Sequence, residues 1–143
     1  DYEPGRKGES ASISSKSLTR FKDRVREETK PTRGRSIAQV VAGLGKWLLG
    51  WRAYFAVKWC ETTDLFRSLD AWIRRRLRAL ILRHWKRGRV MYAELRKHVR
   101  NGHWVTILAR RAQSYWVNSH HSAMLIAFPN AYFEKLGLPS LSR

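Results

Sequence analysis

Hydrophobic positions along the chain fall into successive runs with helical spacing, beginning at Ser17. Leu18, Phe21 and Val25 are three and four residues apart, which places them on one face of a short helix whose other faces carry Arg20, Lys22, Arg24 and Arg26. Lys30-Pro31 stops that run, because the residue before a proline is pushed out of helical geometry. After a Thr-Arg-Gly-Arg turn, Ser36 and Gln39 fit a capping box, in which hydroxyl and amide reciprocally satisfy exposed backbone amides at a helix start. Ile37, Val40, Val41, Leu44, Leu48, Trp51, Tyr54 and Phe55 then repeat at helical spacing. Ala38, Ala42, Gly45, Ala53 and Ala56 are all small and share other faces of the same helix. Glycine inside a helix costs up to about 1 kcal/mol relative to alanine unless something needs the space, so this helix is expected to pack on more than one side.

Asp64 is placed as the N-cap of the next helix, with the apolar set Leu65, Leu69, Trp72, Ile73, Leu77, Leu80, Ile81 and Trp85 and with Gly88 as its C-terminal punctuation. Shorter helices are expected over 92–99, ended by Asn101-Gly102, over 104–116, and over 130–136 between Pro129 and Gly137. Residues 1–16 mix glycine, serine and charge, and there only Ile13 hints at a short strand. No alternating pattern follows Ser17, so the expected class is all-α, a small helical bundle behind a short irregular N-terminal segment.

Charge changes the picture from fold to partner. The 143 residues hold 29 Lys+Arg against 11 Asp+Glu, a formal charge of +18, yet 43% are hydrophobic. That apolar fraction builds a core for one domain, and the excess charge points to a polyanion, either nucleic acid or an anionic membrane surface. Within 64–111, 14 Lys+Arg face only Asp64, Asp70 and Glu94. Arg67, Arg74, Arg75, Arg78 and Lys86 cluster on one side of the expected helix, a stripe roughly 25 to 30 Å long that matches a phosphate backbone. Arg76 interrupts the apolar face and is expected to snorkel over the bundle's edge.

Other chemistry finds little support. A single cysteine, Cys60, forbids an intrachain disulfide, and the opening DYEPGRKGES lacks the apolar core of a signal peptide, both consistent with an intracellular protein. The stretch 37–57 is about long enough to cross a bilayer at roughly 1.5 Å per residue. Lys46 near its middle and Arg52 beyond would each cost roughly 2.5 to 3.5 kcal/mol there, which argues against a span. His84, His98, His103, His120, His121 and Cys60 show no metal-ligand spacing, and the acids are too scattered for a two-carboxylate or two-metal site, so no catalytic residue and no metal site is assigned. Of seven tryptophans, Trp51, Trp72 and Trp85 fall in register with aliphatic core positions, whereas Trp47 and Trp59 are out of phase and are candidates for contact with a ligand or another domain.

Several ordered segments carry a resemblance. RGRSIAQVVAGLGKWLLGWRAYF, with Gly50, Trp51, Tyr54 and Phe55 in a GW-x-x-YF box, resembles the maturase-specific region of group II intron-encoded reverse transcriptases, called domain X, which forms their thumb. Upstream, ISSKSLTRFKDRVREET resembles the palm-to-thumb junction; downstream, FRSLDAWIRRRLRALILRHWKR and WVNSHHSAMLIAFPNAYFEKLGLPSL resemble the following basic helix and the closing segment. Leu49 stands where relatives often have a basic residue, and Ala53 where they often have a polar one.

The resemblance implies a thumb-like bundle, with residues 1–35 as junction carrying one short helix and 36–143 as the maturase-specific domain. It implies binding of group II intron RNA in its splicing-competent fold, and, within a full-length protein, clamping of template-primer duplex and engagement of a DNA target. RNA-facing candidates are Arg74, Arg75, Arg78, Lys86 and Arg87, with Arg33, Arg35, Lys46 and Arg52 beside them; Trp51, Tyr54, Phe55, Trp72 and Trp85 are the expected structural core. The small-residue face of the first long helix would meet the palm or a duplex minor groove. No Tyr/Phe-Ala-Asp-Asp element occurs, so fingers and palm are expected outside this chain, which resembles a C-terminal fragment with no polymerase activity and no cofactor of its own. Mg²⁺ is expected in the polymerase domain and the RNA, and the setting is a cytoplasmic, bacterial ribonucleoprotein without membrane. A stand-alone basic DNA-binding helical protein and an anionic-membrane-surface protein are the alternatives, and neither accounts for the ordered motifs.

Overall fold

Ser14 opens the first helix: its hydroxyl accepts from the Ser17 amide at 3.1 Å, satisfying one of the exposed N–H groups of a helix start. In the computed structural model, which describes residues 14–31, 34–58 and 63–142, this helix α1 (Ser15–Glu28) begins two residues ahead of the expected Ser17. Ile13, Arg33, Trp59 and Cys60 lie outside the described residues. The helices that follow are α2 (Ile37–Lys58), α3 (Thr63–Trp85), α4 (Gly88–Arg96), α5 (Gly102–Arg110), α6 (Tyr115–Asn118), α7 (Ser122–Ala127) and α8 (Asn130–Lys135). Among the described residues there are no strands, and the class is all-α, a small helical bundle.

Local capping sets most boundaries. The end of α1 is closed by Thr29, whose hydroxyl donates to the Val25 carbonyl at 2.8 Å, and by Arg35, which donates to the Glu28 carbonyl at 2.8 Å. The capping box forms as expected, with Ser36 N–H donating to Gln39 Oε1 at 2.9 Å and Gln39 N–H to Ser36 Oγ at 3.2 Å. Asp64 falls inside the first turn of α3 rather than at its N-cap, where its charge still favours the helix dipole. Helix α3 stops at Trp85 because Lys86 takes a left-handed φ of 60°. Gly88 is therefore not the stop but the first residue of α4, and a methyl there would sit 2.6 Å from the Ala109 carbonyl oxygen. That glycine lets α4 approach α5.

Two further boundaries depart from expectation. The helix expected over 104–116 is split, because the buried Asn118 amide donates to the Leu108 and Arg111 carbonyls at 3.2 and 3.0 Å, while its oxygen accepts from Arg111 Nε at 2.6 Å. Those carbonyls would otherwise have continued the helix. The short α7 has no sequence signal of a familiar cap; His121 serves instead, Nδ1 accepting from Ala123 N–H at 3.0 Å. Burial, then the nearby Arg111 charge, lowers the His121 pKa below 6.5 and keeps that lone pair available.

One apolar core joins all of this: Phe21 and Val25 of α1, Val41, Leu44 and Leu48 of α2, Ile73, Leu77 and Leu82 of α3, with Met91, Leu108, Met124 and Phe133 from the later helices. The segment 136–142 runs back across α2 and α3. A methyl at Gly45 would come within 2.9 Å of the Gly137 carbonyl oxygen, so this small position meets the chain's own closing segment, while Ala38, Ala42 and Ala53 stay exposed. Asp70, only 5% exposed, accepts from the amides of Leu141 and Ser142 and the hydroxyls of Ser140 and Ser142 at 2.9 to 3.2 Å. Arg52 donates to the Ser140 carbonyl at 2.7 Å, and Leu141 plugs into the core.

Candidate nucleic-acid interface

Residues 76, 79, 80 and 83 recur at helical spacing and form one edge of α3. Opposite them lie α6 and the residues just before it, and the end of α1 closes the third side. The resulting groove contains a cavity of about 570 Å³ floored by Ala79 and Leu80 and walled by Arg76, Arg83, Tyr115 and Trp116. A second hollow of about 880 Å³ continues it past Arg83 and Tyr115 toward Arg35, His84 and Lys86. Among the described residues no carboxylate lines either part, although four cationic side chains do.

Each cation has a defined setting. Arg76 Nε donates to Thr29 Oγ1 at 3.0 Å, and its pKa is lowered by burial and then by Arg26. Arg83 stacks on Tyr115, its guanidinium carbon 4.7 Å from the ring centroid. Arg35 is tied to α1 through the Glu28 carbonyl and lies 3.8 Å from its carboxylate. Lys86 is exposed. His84 has its pKa lowered by burial and then by Lys86, so this end of the groove disfavours a further positive charge.

The expected stripe on α3 is only partly a surface. Arg78 is corrected: it is 4% exposed, with Nε donating to the Phe128 carbonyl at 2.8 Å, Nη2 to Asn130 Oδ1 at 3.3 Å, and its plane over Phe133. Burial, then Arg74, lowers its pKa to about 10, so it stays charged at neutral pH and works as a fixed strut. Arg75 stacks 4.0 Å from the Trp116 ring centroid and is held by Ser119 Oγ at 3.1 Å and the Trp116 carbonyl at 2.7 Å. Arg74 is half-buried, Arg87 and Lys46 are exposed, and Arg52 is taken up by the Ser140 carbonyl.

Among the expected core residues, Trp51 is half-buried at the centre of a cluster with Phe21 at 4.4 Å, Phe55 at 4.5 Å and Phe66 at 5.7 Å. Tyr54 is corrected: it is 61% exposed, with its ring edge-on to Phe55 at 4.6 Å. Trp85 packs half-buried on Phe128. Trp72 is half-buried too, ringed by Lys22, Arg26 and Arg76 at 5.4 to 5.7 Å from its centroid. Trp47, expected to meet a ligand or another domain, packs at 5.3 Å on Phe21.

Sequence reasoning missed Arg83, Tyr115 and Trp116 as a unit and read Arg76 only as an edge residue. The available signal was the seven-residue spacing of Arg76 and Arg83, which puts both on one side of α3. Among the described residues no group of three His, Cys, Asp or Glu side chains could hold a metal ion, and no helix is long and apolar enough to cross a membrane.

Fold and groove together define a small, strongly basic all-α domain. The sequence profile of the group II intron, maturase-specific domain matches residues 18–104, more than half of the chain, and the chain belongs to that family. A search of curated proteins finds no significant match. The matched stretch contains Arg35, Arg76, Arg83 and Lys86 but stops before Tyr115 and Trp116.

Proposed function

We propose that this chain is the RNA-binding, maturase-specific region of a group II intron-encoded protein, stabilising the splicing-competent fold of its intron RNA. In a full-length reverse transcriptase the same domain acts as the thumb and clamps template-primer, while the catalytic carboxylates and their Mg²⁺ belong to the palm. The splicing chemistry is the RNA's own; the protein supplies charge, shape and a rigid frame.

The observation that carries this reading is the groove between α3 and α6, with Arg35, Arg76, Arg83 and Lys86 along it and no carboxylate among its described lining residues. Phosphate groups of a folded RNA neutralise such a row and release counterions, which makes the affinity steeply salt-dependent. Binding of a structured intron-like RNA, measured at several KCl concentrations, tests it. Arg83→Gln and Lys86→Gln should each lower the log-log salt slope by roughly 0.7 to 0.9, the value of one phosphate contact. Arg20→Gln, on exposed α1 surface, should change it far less. Equal slope changes at all three positions would replace the groove with diffuse binding over the whole surface.

A further inference from the structure

We propose that the α3–α6 groove takes one unpaired RNA base, stacked on the face of Trp116 opposite Arg75, with the flanking phosphates on Arg83 and Lys86. This deepens the reading of the groove as an RNA interface and rests on it.

Trp116 is 41% exposed. The Arg75 guanidinium carbon lies 4.0 Å from its ring centroid, and the Arg75 side chain is held by hydrogen bonds to Ser119 Oγ and to the Trp116 carbonyl. Trp116 lines both the α3–α6 cavity and a second hollow shared with Trp72 and His120, and Arg75 lines the second of these. The base is accordingly placed on the ring face that the Arg75 guanidinium does not occupy. A half-exposed indole with one face backed by a guanidinium is a stacking platform, because the other face keeps its π surface for a base to land on.

The rest of the cavity has room for a base. Its volume, about 570 Å³, is in the range of small-ligand sites, with an apolar floor at Ala79 and Leu80. Gln113 and Ser114 stand at its edge with groups that can meet a base's hydrogen-bonding rim. Bases inside a duplex are stacked on both faces and offer no π surface, whereas bulged and looped bases can be splayed onto aromatic or arginine planes. Arg83 on Tyr115 and Lys86 beyond it continue from the platform along the second hollow, the direction a backbone must leave by.

The test uses the full chain and two RNA hairpins of equal length and charge, one fully paired and one with a single bulged 2-aminopurine. Wild type should bind the bulged hairpin about tenfold more tightly and quench the 2-aminopurine emission on binding. Trp116→Ala should weaken the bulged complex roughly tenfold, within the range for removing an aromatic partner of a stacked base, and so erase the preference while leaving the paired complex unchanged. Trp116→Phe, which keeps a ring, should retain most of the preference. Arg83→Gln should weaken both complexes alike. If wild type binds both hairpins equally and quenches nothing, the stacking site is overturned while the RNA interface stands, and this outcome needs no variant to fold. If wild type binds neither hairpin in a salt-dependent way, the interface itself falls.

Discussion

Two sides of the same helix, α3, treat charge in opposite ways. On one side Asp70 and Arg78 are buried, and each is matched to fixed partners far away in sequence: the amides and hydroxyls of 140–142 for Asp70, the Phe128 carbonyl and Asn130 for Arg78. On the other side Arg76 and Arg83 line an open groove beside aromatic rings. A buried ion whose lone pairs or protons are all satisfied by the fold has nothing left to offer a ligand. Charges along a groove with no carboxylate among its described lining residues are those that a polyanion can neutralise. The sign of a residue therefore says little about its task; the supply of backbone partners around it decides.

Changes on the buried side should be felt as stability. Asp70→Ala leaves the buried Leu141 amide without its acceptor, at roughly 1 to 3 kcal/mol, and leaves the Ser142 amide only Ser140 Oγ at 3.3 Å. With the tail's packing also loosened, a loss of about 3 to 5 kcal/mol in denaturant unfolding is expected. A loss below about 1 kcal/mol would mean the tail is not held there. Arg78→Met keeps the length of the stem but removes two hydrogen bonds from a charged donor, and should cost about 2 to 3 kcal/mol while leaving the salt slope of RNA binding as in wild type. A lowered slope would return Arg78 to the RNA surface and break the contrast.

The groove side should give the mirror image. Arg83→Gln is expected to hold its unfolding free energy within about 0.5 kcal/mol of wild type, since an exposed residue away from the core rarely does more. A stability loss as large as that of Arg78→Met would show that Arg83 too is a strut.

The smallest effect is one of pH. The pKa of His121 is lowered in the folded chain, as is that of His84, while in the unfolded chain both titrate near 6.5. The unfolded state thus takes up protons first, so stability is full above that value, declines as pH falls below it, and levels off below the folded pKa. The thermal midpoint should fall modestly between pH 7.5 and 5.5. His121→Asn, which keeps a side-chain acceptor for the Ala123 amide, should flatten part of that decline; a midpoint rising toward acid would reverse the assignment.

Local devices were legible in the sequence and distant ones were not. The Ser36–Gln39 box and the phase of Leu69, Ile73, Leu77 and Leu80 depend on residues within a turn or two of each other, and both formed as read. The maturase-specific resemblance was carried by whole segments in order, and it held over 18–104. Tyr54 misled because it sits at the edge of the apolar arc of α2, where burial depends on which neighbour arrives, and it stays 61% exposed. Arg78 misled because its partner carbonyl lies 50 residues downstream. Asn118 splits the expected helix over 104–116 through carbonyls that no spacing rule places beside it, and the groove needs α6 brought against α3 by tertiary packing alone.

The grip of Asp70 on residues 70 to 72 positions away also sets an order of events in folding. Everything from the end of α3 through α8 lies inside the loop that this contact closes. Closing a loop costs entropy that rises by only about 0.6 kcal/mol per doubling of its length, but the cost falls due before any contact rewards it. Helices α4 to α8, whose neighbours are near in sequence, shorten that span as they dock. The tail should therefore lock late, and opening of the native state should begin by its release, with the Leu141 and Ser142 amides exchanging with solvent before those of the α3 core.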